Sequence, residues 1–322
     1  PNPVFSVSAD LRQGPIVFTR NNSESDIAQK FLFFNVLKDG GIHVLTPPSE
    51  NVPPSFGSSS GVLIKDVEIS TDVSARIFLP SSAPTNACTT QKLHVVLFIH
   101  GGGFCMRSAF SEDNTRFGCH ITADANAIVV SVEYGLFPAR PIPACYDDSW
   151  AALEWVASHC KGNGPEPWIN DYGDLSRIFV SGNSAGGTIS HTLLAKVRSM
   201  GLPGDAKVEG MILIHSYFGE DDKMWMFMCP TNLGPQDPRM KPAVEDLARI
   251  ACGRVLVVLA EKDGLYGAGK TYVNELIKSE WEGKVDIMVN KEKDHCFNIY
   301  DHSDPEALVI RQRITSFIHN PS

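Results

Sequence analysis

Ser184 lies in the run Ser181-Gly182-Asn183-Ser184-Ala185-Gly186-Gly187, a G-x-S-x-G pattern. Before it, Arg177-Ile178-Phe179-Val180 reads as a short strand; after it, Thr188 to Lys196 reads as a helix. A serine on so sharp a strand-to-helix turn has its hydroxyl held over the sheet edge, at the positive end of a helix dipole. Gly182 and Gly186 suit a turn where neighbouring side chains would collide. Glycine–serine loops are common, so the pattern alone carries moderate weight. A second run raises it. Leu93 to Ile99 is apolar except for His94, the pattern of a strand buried on both faces, and it ends in His100-Gly101-Gly102-Gly103-Phe104. Such a loop brings backbone N–H groups up to a carbonyl oxygen that is gaining negative charge. A phosphate-binding loop would need G-x-x-x-x-G-K-[S/T], and no such lysine follows.

A serine nucleophile needs a base and a carboxylate to orient it, and on this scaffold they follow in the order Ser, Asp or Glu, His. Val255 to Ala260 reads as a buried strand and is followed by Glu261-Lys262-Asp263-Gly264. Asp263 is therefore the candidate carboxylate, with Glu261 and Asp294 as rivals. Val285 to Val289 reads as the next strand, leading to Asp294-His295-Cys296-Phe297. His295 is the candidate base, taking the proton of Ser184 and returning it to a leaving group while Asp263 holds the ring tautomer. His302, in a turn-rich helix start, reads as a surface or capping residue. His100 reads as a hydrogen-bonded support for the glycine loop, and His191 as a packed, hydrogen-bonded residue. His43, His94, His120, His159, His215 and His319 carry no motif. Neither H-E-x-x-H nor paired cysteine spacing occurs, so no metal site and no cofactor are expected.

The elements that must position these residues follow an α/β pattern. From Leu93 onward strands and helices alternate, which implies a mostly parallel central sheet covered by helices on both faces. Val67–Ile69 and Ala75–Leu79 read as an antiparallel pair at its start. Phe34–Leu37 and Ile42–Leu45 read as a hairpin about the Asp39-Gly40-Gly41 turn. Residues 1–28 lack clear periodicity and are set apart as an N-terminal extension; if it is the remnant of a processed precursor, the expected compartment is the plastid. Residues 29–322 then form one domain, with cap elements from the N-terminal region and from about 216–245. Met224-Trp225-Met226-Phe227-Met228 in that cap has two readings, a buried helix turn or a lid over an acyl pocket. Phe104, Trp225 and Met228 are the candidate substrate contacts.

With 322 residues, 43% of them hydrophobic, the chain can bury a full core without dividing. A net charge of −9 argues against nucleic acid and anionic membrane partners. No stretch approaches the roughly 18 apolar residues of a membrane span. The eight cysteines (Cys88, Cys105, Cys119, Cys145, Cys160, Cys229, Cys252 and Cys296) lack C-x-x-C spacing and several fall in apolar segments, which points to a reducing compartment. The expected location is intracellular, either cytoplasmic or plastid. The Asn21-Asn22-Ser23 sequon matters only in a secreted protein. Whether the chain is a monomer or a dimer is left open.

From Phe34-Asn35-Val36-Leu37-Lys38-Asp39-Gly40 to the C-terminal helix, the chain resembles the plant carboxylesterases of the hormone-sensitive-lipase-like α/β-hydrolases. The resemblance is carried by Val73-Ser74-Ala75-Arg76-Ile77-Phe78-Leu79-Pro80, the HGGGF loop, Pro141-Ile142-Pro143-Ala144-Cys145-Tyr146-Asp147-Asp148, Pro165-Glu166-Pro167-Trp168, the serine turn and Asp294-His295-Cys296-Phe297. It implies that Gly102, Gly103 and Ala185 supply oxyanion N–H groups and that Ser184, Asp263 and His295 are a triad. It implies a small-molecule ester substrate, with the acyl group passed to water or, as in tuliposide-converting enzymes, to a substrate hydroxyl with release of a lactone. The similar gibberellin receptors have lost the histidine that is present here, and the similar isoflavanone dehydratases carry threonine where Ser184 stands. A non-hydrolytic enzyme or a ligand binder is the alternative. The chain departs from the family pattern at Asn183, where an acidic residue is usual. It departs again at Tyr134-Gly135-Leu136-Phe137-Pro138-Ala139, where the family has Y-R-L-A-P-E. The Phe218 to Lys241 stretch is also short for the family.

Overall fold

The computed structural model describes residues 24–46, 49–57, 60–83 and 92–320. Most of the expected N-terminal extension, the Asn21 sequon and Cys88 lie outside the described residues. Three short strands, β1 (Ile27–Lys30), β2 (Phe34–Leu37) and β3 (Ile42–Val44), form an antiparallel sheet of their own. Strands β2 and β3 match the expected hairpin. Strand β1 has the exposed pattern of a sheet edge, offers no apolar alternation to read, and begins inside the stretch assigned to the extension.

The main sheet opens with β4 (Val62–Ser70) and β5 (Val73–Pro80), paired antiparallel. It continues through β6 (Leu93–Ile99), helix α1 (Glu112–Ala125), β7 (Ile128–Glu133), α2 (Ala144–Ala157), α3 (Pro167–Tyr172), β8 (Gly173–Asn183), α4 (Ala185–Met200) and β9 (Val208–Ile214). Two short helices, α5 (Lys223–Met228) and α6 (Val244–Leu247), precede β10 (Arg254–Ala260), α7 (Tyr266–Lys278), β11 (Lys284–Asn290), α8 (Phe297–Tyr300) and α9 (Pro305–His319). The eight strands lie in the order β11-β10-β9-β8-β6-β7-β5-β4. All neighbours from β11 to β7 run parallel, while β5 is antiparallel to both β7 and β4.

Strand β6 shows why the sheet must be covered twice. Val95, Leu97 and Ile99 enter the core on one face, while Val96 and Phe98 enter the core on the other. In β10 the same period-two alternation sends Val255, Val257 and Leu259 one way and Leu256 and Val258 the other. Each such side chain contributes roughly 1.5–3 kcal/mol by leaving water. The first core lies beneath α2, α4 and α7, the second beneath α1 and α9. Strands β6, β8, β10 and β11 thus end along the same edge, where crossover loops of a parallel sheet gather functional residues.

Candidate active site

Ser184 follows directly on β8 and caps the N-terminus of α4. Its backbone takes φ 51, ψ −122, outside the regions a side chain ordinarily allows. Strain of that kind costs on the order of 1–3 kcal/mol and persists only where neighbours hold it. Here Ser184 N donates to Ile214 O at 2.9 Å and Tyr217 N donates to Ser184 O at 2.9 Å, locking the turn to the end of β9. The glycine at 186 is dictated by proximity, since a Cβ there would stand 1.9 Å from Ile99 O of β6.

Asp263 and His295 come from the loops after β10 and β11. Those loops are tied by Glu261 N donating to Asn290 O (3.0 Å) and Lys262 N donating to Lys293 O (2.9 Å). His295 Nδ1 donates to Asp263 Oδ2 at 2.6 Å, and Ser184 Oγ donates to His295 Nε2 at 2.9 Å. The other Asp263 oxygen accepts from Leu265 N at 2.8 Å. Burial opposes the charge on Asp263, but the His295 ring and the Leu265 N–H outweigh it and hold the carboxyl below its usual range. On His295 burial likewise opposes charge, yet Asp263 and Cys296 outweigh it and raise the ring above the ordinary imidazole range. The rival Glu261 instead accepts from Glu292 N on the exposed side of its loop. His302 sits edge-on to His120, away from the serine.

The loop after β6 lies against the serine turn. His100 Nδ1 donates to Gly101 O at 2.7 Å, which leaves Nε2 as the bare nitrogen, and the ring stacks on Tyr134, whose hydroxyl donates to His100 O at 2.8 Å. The expected supporting role of His100 is therefore visible in its contacts. Among the described residues no backbone partner is found for Gly102 N, Gly103 N or Ala185 N. The Phe33 ring covers Gly103, at φ 58, so closely that a Cβ there would lie 2.3 Å from it.

The three candidate substrate contacts are all buried. Phe104 and Met228 are 0% exposed and Trp225 is 1% exposed; all three belong to the core beneath the cap. The Trp225 indole packs under the Arg239 guanidinium, and Met228 O accepts from Ile142 N. Helix α5 turns Trp225 inward because Asp222 caps it, accepting from Trp225 N at 2.8 Å. Of the two readings of the Met224–Met228 segment, the buried helix turn describes Met224, Trp225 and Met228. Phe227 is half-buried and joins Phe31, Phe34 and Phe137 in an aromatic cluster that links α5 to the small sheet. Phe33 carried no motif, and only the fold brings its ring against Gly103 of the glycine loop.

Further residues around the triad have partners that the sequence did not show. His215, directly after β9, has φ 47 and accepts from Cys296 N at 3.0 Å through Nδ1. Asn183 bridges two loops, with Oδ1 accepting from Gly101 N at 3.0 Å and Nδ2 donating to Cys296 Sγ at 3.5 Å. Arg140 stands five residues beyond Gly135, the position where the Y-R-L-A-P-E run has its arginine. Arg140 forms a two-pronged ion pair with Asp148, whose Oδ2 also accepts from Gly135 N at 2.7 Å. A side chain at 135 would run into that guanidinium, 2.7 Å from its Nη1, which explains the glycine there.

With this geometry, comparison with known proteins is direct. A family model described as the alpha/beta hydrolase fold matches residues 96–299. Probable carboxylesterase 1 of Arabidopsis thaliana is 36% identical over 303 residues, covering 88% of this chain and 95% of the relative. The chain belongs to the plant carboxylesterase family of α/β-hydrolases. Another member, the 2-hydroxyisoflavanone dehydratase of Glycine max, is 35% identical over 309 residues, covering 88% of this chain and 95% of that one. An esterase structure from Pseudomonas putida matches with a TM-score of 0.66 at 20% identity, covering 80% of this chain and 83% of that chain. This last likeness concerns the fold. As a family member the chain is a carboxylesterase-like α/β-hydrolase. Among the described residues no helix is long and apolar enough to cross a membrane.

Proposed function

We propose that this plant carboxylesterase family member is a serine esterase that cleaves a small-molecule ester through an acyl-enzyme. The observation that carries the reading is the unbroken chain from Asp263 through His295 to Ser184, at 2.6 and 2.9 Å, with the serine on a strained turn. Ser184 Oγ attacks the ester carbonyl as His295 Nε2 takes its proton. Asp263 stabilises the resulting imidazolium. The oxyanion is met by the N–H groups of Gly102, Gly103 and Ala185, the last at the start of a sixteen-residue helix. His295 then gives its proton to the departing alcohol. Water, or a hydroxyl of the substrate itself, attacks the acyl-enzyme in the second half, with His295 again as base. The two acceptors use the same triad, so hydrolysis and lactone formation differ only in which hydroxyl reaches the acyl carbon.

The seven cysteines among the described residues are all free, which supports a reducing compartment. The test is the pre-steady-state turnover of p-nitrophenyl butyrate with fluorophosphonate labelling of Ser184. A burst of about one equivalent, lost after labelling, is expected. A dehydratase reading, prompted by the activity named for the Glycine max relative, needs the base and the oxyanion N–H groups but no acyl-enzyme. Absence of a burst together with water loss from a 2-hydroxyisoflavanone would favour it.

A further inference from the structure

The Cys296 side chain is fully buried, and its sulfur lies 3.5 Å from His295 Nε2, the same nitrogen that accepts from Ser184 Oγ at 2.9 Å. An imidazole nitrogen has a single in-plane position for a lone pair or a proton. Sulfur and serine therefore compete for it. Three features of the fold hold the sulfur there. Asn183 Nδ2 donates to it at 3.5 Å, and the amide cannot be turned round, because Gly101 N requires Oδ1 as its acceptor. The Cys296 N–H donates to His215 Nδ1 at 3.0 Å. That bond holds Cys296 at φ 54, a left-handed conformation that side chains other than glycine rarely take.

The Asn183 amide points a hydrogen at the sulfur and so favours negative charge on it. An acidic residue at 183, usual in the family, would do the opposite. The titratable groups facing the pair are Asp263 at Nδ1, His215 from the end of β9 and Tyr300 from α8, which lies beneath the Arg107 guanidinium. Burial pushes the Cys296 thiol up, but His215 and His295 outweigh it and bring the thiol below its ordinary range.

We propose that Cys296 is a positioning residue of the triad, its sulfur sharing the Nε2 hydrogen bond with Ser184 and thereby setting the pH at which His295 is free to act as base. When the thiol proton passes to the ring, the S–H bond breaks as the Nε2–H bond forms, giving thiolate and imidazolium, and Nε2 no longer accepts from Ser184. The reverse transfer restores a neutral ring whose Nε2 accepts the serine proton. No net charge or oxidant enters. The inference rests on the triad assignment above but not on an ester being the substrate.

The decisive experiment is an NMR pH titration of the ¹⁵N-labelled His295 ring, assigned by its absence in His295→Ala. Wild type is compared with Cys296→Ala and Cys296→Ser. The titration midpoint is expected to fall by at least about one pH unit, tenfold in proton affinity, in Cys296→Ala. It should fall less in Cys296→Ser, which keeps an acceptor but no ionisable sulfur and preserves the packing if the alanine variant does not fold. An unchanged midpoint in either folded variant overturns the proposal. The acid limb of kcat/KM for p-nitrophenyl butyrate should move to lower pH with the midpoint. A midpoint that moves in a protein that turns over no ester would leave the role of the sulfur standing and remove the esterase reading.

Discussion

Asp263→Asn tests the orientation of the base, and the structure dictates how it should fail. The two carboxylate oxygens of Asp263 have different donors, Leu265 N at 2.8 Å and His295 Nδ1 at 2.6 Å. An amide at this position has only one oxygen. The Leu265 N–H is part of the backbone and can only donate, so the oxygen turns to it and the NH₂ group faces His295. Nδ1 must then become an acceptor, the ring proton moves to Nε2, and Nε2 can no longer take the proton of Ser184. A trapped tautomer of this kind lowers turnover by about 10⁴-fold, on the order of 5 kcal/mol in barrier height. The assay is the burst and steady-state rate with p-nitrophenyl butyrate, with circular dichroism to confirm the fold. Glu261→Gln is the control. Its oxygen accepts from Glu292 N at an exposed site, and a glutamine can do the same, so activity should stay within about twofold of wild type. A mild Asp263→Asn beside a crippling Glu261→Gln would refute the reasoning.

Fluorophosphonate should add one adduct, on the peptide bearing Ser184; labelling that survives Ser184→Ala would remove Ser184 as nucleophile. Gly186→Ala should cost about 1–3 kcal/mol of stability in a urea titration and most of the activity, because its Cβ would meet the rigid Ile99 carbonyl at 1.9 Å; full activity would show that the turn can open. Short acyl esters, about C2 to C4, should be preferred over C10, since each further buried methylene is worth up to ~0.8 kcal/mol only if the cap offers it a surface; a steady rise in kcat/KM through C10 would show a long tunnel. In that series Phe227→Ala should change the chain-length profile, whereas Trp225→Ala should chiefly destabilise, by about 3–5 kcal/mol, as its ring lies in the core. Glu133 is raised by burial from its ordinary 4.5 to about 7, against the donors Ala109 N and Ser108 Oγ. The native state therefore holds its proton more tightly than the unfolded chain. Stability falls as pH rises between those values, by at most roughly 3 kcal/mol. Glu133→Gln should gain on wild type in denaturant midpoint from about pH 5 to pH 8, and parallel profiles would contradict this.

The sequence determined what depends on neighbours in the chain. The strand, tight turn and helix around Ser184 were legible because Gly182 and Gly186 and the apolar run before them leave that segment few other conformations. The buried strands β6 and β10 declared themselves by apolar runs, broken in β6 only by His94, and Asp263 and His295 by falling after strand ends in the right order. Edge strand β1 was not legible, because exposed on nearly every side chain it has no pattern to read. What touches the triad from elsewhere was decided by the tertiary structure alone. His215 and Cys296 are 81 residues apart, and Gly101 and Asn183 are 82 apart; each pair meets only because parallel strands end along one edge of the sheet. The same holds for the cap. A methionine- and aromatic-rich helix turn reads alike whether it lines a cleft or fills a core, since both need apolar surface. The Asp222 cap and the packing of α5 against the Phe31–Phe34 turn settled that Trp225 and Met228 face inward and leave Phe227 at the boundary.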